Sequence, residues 1–147
     1  MIKKTFIALA LLFASILTHA IDPINTGLWG NTAIKGYDPV AYFSESKAVK
    51  GNSAFKYKWM DATWRFHNQQ NRDLFAANPE KYAPQYGGYC AYAVSQNDTA
   101  GIDPNQFTII NDKLYLNYNQ SINEQWTKDR NQYIIDADKN WPRLLDK

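Results

Sequence analysis

The chain has 147 residues, 22 of them aromatic and one of them cysteine, with 16 basic residues against 14 acidic ones. A single cysteine excludes an intrachain disulfide framework, and a charge this close to balance gives no global pull toward nucleic acid or anionic membranes. The length suits one domain of ordinary size.

Residues 1–20 read MIKKTFIALALLFASILTHA, with Lys3 and Lys4 ahead of an apolar run and the small-residue site Thr18-His19-Ala20. That pattern predicts a secretory signal peptide cleaved after Ala20, and so a periplasmic or secreted product without membrane insertion. Removing these 20 residues leaves 127, with 14 charges of each sign and all five Trp. A neutral chain so rich in rings predicts an aromatic core or ring-lined pocket.

Residues 21–35 form a loosely ordered lead-in with Trp29 as its candidate anchor, and residues 36–147 the domain proper. Gly36-Tyr37-Asp38-Pro39 reads as a turn, Asp38 accepting local backbone hydrogen bonds, and Val40 to Phe43 as a short strand. Phe55, Tyr57 and Trp59 alternate with lysines, Met60 to Thr63 turn the chain, and Trp64 and Phe66 alternate again, which predicts a hairpin. A second hairpin is expected from Phe107 to Tyr118 around Asn111-Asp112-Lys113. Between them, Asn68 to Ala77 has helical composition, Asn78-Pro79-Glu80 restarts a helix, and Pro84 ends it. Gly87-Gly88 then allows a sharp reversal before a third short helix over Tyr89 to Ser95, with Cys90 in its first turn. Near the C-terminus Ser121 to Glu124 reads as a capping box. Ile122, Trp126, Tyr133, Ile134, Ala137 and Trp141 share one helical face, and Pro142 is the expected stop. The predicted fold is a small single α+β domain: two antiparallel β-hairpins, packed short helices and a C-terminal amphipathic helix.

Chemistry-bearing spacings are few. His67 is the only histidine after the signal, and no His-x-x-x-His, Cys-x-x-Cys, Gly-x-Ser-x-Gly or phosphate-cradling Gly-rich loop occurs. Asp136-x-Asp138-x-Asn140 opens like a calcium loop, but Trp141 stands where the loop needs glycine. These gaps argue against an enzyme. Cys90 reads two ways: as a small core residue, or as a thiol at a helix start where unpaired N–H groups favour thiolate. A thiolate is a nucleophile and a soft-metal ligand, and Met60 and His67 are the other soft or imidazole donors of the processed chain. Packing of the first hairpin against the Cys90 helix would gather a Cys90, His67, Met60 metal site. Against it, His67 also reads as a solvent-facing or capping residue, and Tyr82, Tyr86, Tyr89 and Tyr92 as a packing cluster.

GYDPVAYF (36–43), the Trp64-x-Phe66 segment, NRDLFAANPEKYAPQYGGYCAYAV (71–94) and the later LYLNY resemble the exported YHS-domain proteins, a group that includes selenoproteins. The resemblance spans nearly all of residues 21–147 and makes Tyr37, Asp38, Tyr86, Gly87, Gly88 and Tyr89 further motif residues. It implies metal binding, with copper the expected ion, since related short domains accompany copper-transporting ATPases. It also implies a reactive position at Cys90, because some members carry selenocysteine at the matching place. The chain departs from the two-cysteine form of the domain, so a closed metal site is not implied. Three functions follow for test: transient copper binding through Cys90, thiol redox with a partner protein, and a non-catalytic interaction or small-ligand module using the aromatic surface.

Overall fold

The computed structural model describes residues 20–147, so the predicted signal lies, except for Ala20, outside the described residues. In chain order the elements are α1 (Pro39–Ser44), β1 (Asn52–Trp59), β2 (Ala62–Phe66), α2 (Gln69–Ala77), α3 (Pro79–Tyr82), α4 (Ala91–Ser95), β3 (Phe107–Ile110), β4 (Lys113–Leu116), α5 (Gln120–Lys128) and α6 (Arg130–Leu145). Two antiparallel two-stranded sheets, β1-β2 and β3-β4, are joined by the helices, and the fold is the expected α+β domain.

Both hairpins close through two residues in the left-handed region, Met60 and Asp61 at φ 50° and 58°, and Asn111 and Asp112 at φ 51° and 61°. Paired left-handed residues match the right-handed strand twist, which is why such short loops suffice. The pairing runs Trp59↔Ala62, Lys58↔Thr63, Tyr57↔Trp64 and Lys56↔Arg65, then shifts at a bulge before Asn52↔Phe66. The β2 side chains of Ala62, Trp64 and Phe66 are buried, and Phe75 of α2 meets Trp64 at 5.0 Å, Phe66 at 5.2 Å and Trp59 at 5.9 Å between ring centroids. One apolar cluster joins this hairpin to α1, Cys90, Leu114 and Leu116; a second gathers Tyr86, Val94, Tyr115, Trp126, Ala137 and Leu144.

Several local expectations need correction. Val40 to Phe43 are helical, because Asp38 caps α1: its Oδ1 accepts from the N–H groups of Val40 (2.9 Å) and Ala41 (3.2 Å), and Pro39 sits in the first turn. Cap and proline together outweigh the strand preference of Val, Tyr and Phe. The lead-in is not loose: Ile24 and Asn25 are buried, whereas Trp29, the expected anchor, is 91% exposed. The cap of α5 is Asn119, whose side chain accepts from Ile122 N–H at 2.8 Å, so Ser121 lies inside the helix rather than at its cap. The helix does not continue to Trp141 in one piece, since Asp129 (φ −145°, ψ 42°) separates α5 from α6. Nor does Pro142 stop it. Pro142 lies within α6, which continues to Leu145.

Candidate functional site

The YGGYC stretch is shaped by what crosses it. Asn25 N–H donates to Gly87 O at 2.8 Å and Asn25 Nδ2 donates to Gly88 O at 3.1 Å, which lays the lead-in directly on the two glycines. A Cβ on Gly87 would stand 1.8 Å from Pro23 O, and Gly87 has φ 61°, so only glycine fits both the backbone conformation and the approach. Tyr86 is also left-handed, at φ 57°. A non-glycine residue there is held by its surroundings: the Tyr86 hydroxyl donates to Asp138 Oδ1 of α6 at 2.8 Å, and its ring lies 6.1 Å from Trp141. Burial first, and the Asp138 carboxylate second, raise the Tyr86 pKa well above the ordinary phenol value. Tyr89 packs on the same Trp141 ring at 6.0 Å, while Tyr37 bridges to Lys50 beside α1.

Cys90 caps α4 and is 1% exposed. Its thiol donates to Asn117 Oδ1 at 3.4 Å, and the same oxygen accepts from Tyr92 N–H at 3.0 Å, so the acceptor is fixed in place. A thiolate would face that oxygen without a proton between them. Burial pushes the Cys90 thiol up, against the opposing pull of the Ala93, Tyr118 and Tyr92 amides. Asn117 is itself fully buried, and its Nδ2 donates to Asn123 Oδ1 at 3.1 Å. The thiol is thus packed and hydrogen-bonded, the environment of a structural rather than a reactive cysteine. Asn117 was missed from the sequence, where the signal was one amide inside the apolar run Leu114 to Tyr118.

His67 belongs to a different cluster. Buried Asp38 spends its second oxygen on His67 N–H (3.0 Å), His67 Nδ1 (2.7 Å) and Asn71 Nδ2 (2.9 Å). Asn68 Oδ1 caps α2 at Asn71 N–H, which turns its Nδ2 toward His67 Nε2 at 3.0 Å. His67 Nε2 also lies 3.4 Å from Glu45 Oε2. Both ring nitrogens are engaged. Asp38 joins five donors from three segments, more than the local turn role expected of it.

Met60 stands at the β1-β2 turn, 48% exposed, on the wall of a cleft of about 560 Å³. Trp59, Tyr86 and Trp141 give the cleft its aromatic surface, Pro23 and Ile24 of the lead-in close one edge, and Glu80, Lys113 and Asp138 supply charge. A smaller cavity of about 250 Å³ shares Lys113 and Asp138 and is lined by Ile110, Ile134 and Ile135. Cys90 and His67 line neither. The three expected metal ligands accordingly occupy three separate settings: a packed core, a polar cluster at α1-α2 and a cleft wall. Among the described residues, no group of three or more His, Cys, Asp and Glu side chains is placed to hold a metal ion, and no helix is long and apolar enough to cross a membrane. Compared with protein-family models, curated proteins and solved structures, the chain matches none of them.

Proposed function

We propose that this is a non-catalytic binding module, an exported protein of the YHS type, whose cleft between the first hairpin turn, the Tyr86-Gly87 bend and α6 accepts a flat apolar or aromatic group. The observation that carries this reading is the cleft itself: about 560 Å³, faced by Trp59, Tyr86 and Trp141 with charged groups beside them. Ligand sites typically span about 300–1,000 Å³ and combine apolar walls with a few polar groups. The left-handed Tyr86 lies on the same wall, its hydroxyl fixed by Asp138 and its ring largely buried beneath the cleft.

Calorimetric titration with indole as the probe tests this. Saturable binding to the parent, weakened about fivefold or more in Trp141→Ala, supports the reading, since loss of a stacked ring is worth about 1 kcal/mol. No saturable binding of indole would count against it. Copper binding and thiol redox through Cys90 are the competing proposals, and each requires the thiol to be exposed. Competitive Cu(I) titration of the parent and Cys90→Ser separates them from the cleft reading: equal, weak binding in both proteins is the expected outcome.

A further inference from the structure

Leu28 and Trp29 are 92% and 91% exposed, whereas the next most exposed large apolar residue among those described, Tyr118, stands at 54%. Gly27 and Gly30 frame the pair at φ 74° and 90°, and a Cβ on either would meet nothing within 4 Å. The chain therefore holds out a two-residue apolar tip between two glycines, almost uncovered by the described residues. An uncovered indole of this kind marks an interaction surface. The tip follows four residues after Ile24, which with Pro23 forms one edge of the aromatic cleft.

We propose that the Leu28-Trp29 tip of one molecule seats in the cleft of a second copy of this chain, and the second copy's tip in the first. The inference rests on the reading of the cleft as a binding site and names its occupant. Mutual exchange about a two-fold axis closes the pair instead of leaving an open chain. An indole suits the chemistry of the cleft, whose lining includes the rings of Trp59, Tyr86 and Trp141 and the carboxylates of Glu80 and Asp138, the latter already accepting from Tyr86. Long-range repulsion does not oppose the pairing, because the chain beyond residue 20 carries equal numbers of acidic and basic residues.

Sedimentation velocity across a wide concentration range, on the chain freed of residues 1–20, tests the proposal, with Trp29→Ala as the variant. Trp29 is solvent-exposed, so the substitution leaves the core intact. The expected result is a reversible dimer weakened about thirtyfold or more in the variant, the scale of a buried tryptophan anchor. Acetyl-Gly-Leu-Trp-Gly-amide should dissociate the parent dimer and move the Trp59 and Trp141 indole N–H resonances. A monomer at every concentration overturns the inference, as does a dimer that survives Trp29→Ala. So does a Trp29-dependent dimer whose competing peptide leaves the Trp59 and Trp141 resonances unmoved. Indole titration of the Trp29→Ala monomer keeps the two claims distinguishable: binding there with no parent dimer leaves the cleft reading standing and removes only the second copy.

Discussion

At the scale of single residues, burial decides what Cys90 and Asp38 can do. Cys90 caps α4, which starts at Ala91 and not at the expected Tyr89, so it sits just before the first turn in which it was expected; its thiol is spent on Asn117 and shielded from solvent. The parent should react with an aromatic disulfide reagent far more slowly than the urea-unfolded chain does; equal rates would show an accessible thiol. Asp38 is the reverse case, a turn residue that became a hub. Asp38→Ala leaves the cap of α1, His67 and Asn71 without their acceptor, and should cost about 3 kcal/mol in denaturant unfolding, cap loss and orphaned buried donors together. A cost under about 1 kcal/mol would mean that water replaces the carboxylate readily. The tight bend at Gly87-Gly88 was legible because paired glycines announce it. That Pro23 presses on it was not, since that contact joins positions more than sixty residues apart.

At the scale of elements, alternation carried the first hairpin, the Asn111-Asp112-Lys113 turn between two apolar runs carried the second, and composition carried α2, because each signal is local to its segment. Helix starts were read less well. Asn119 and Ser121 are both good caps, and the choice between them depends on where the chain leaves β4. Asn119→Ala should destabilise by about 1 kcal/mol and Ser121→Ala by less than about 0.5, measured as paired chemical melts; the opposite order would restore Ser121 as the cap. The β1-β2 turn offers a gain. Met60 and Asp61 occupy left-handed positions that suit Asn and Gly, so Met60→Asn with Asp61→Gly should stabilise by about 1 kcal/mol. Unchanged or lower stability would show that the Met60 side chain contributes more at the cleft wall than its backbone costs.

At the scale of the whole molecule, the described tyrosines set the alkaline limit. Burial is the leading cause that raises the pKa values of Tyr42, Tyr86, Tyr89 and Tyr115. The folded chain therefore keeps protons that the unfolded chain releases near the ordinary tyrosine pKa of about 10. Their contribution is complete below that pH and falls as pH rises above it, so melting temperature should drop steeply on the alkaline side. A flat profile through pH 11 would contradict the burial of these rings. The cleft belongs to this scale too, and it was the least legible feature. Its walls come from the lead-in, the first hairpin turn, the Tyr86 bend and α6, segments that no local period connects. The ring-rich composition announced an aromatic surface without saying which rings would share it.

The most direct test of the cleft as the binding site is a two-dimensional NMR titration with indole, read at the tryptophan side-chain N–H signals. The Trp59 and Trp141 signals should shift together and saturate, while those of fully buried Trp64 and Trp126 stay in place. If no tryptophan signal moves, or if the shifts fall on Trp64 or Trp126 and spare Trp141, the cleft is not the site and the proposed function fails.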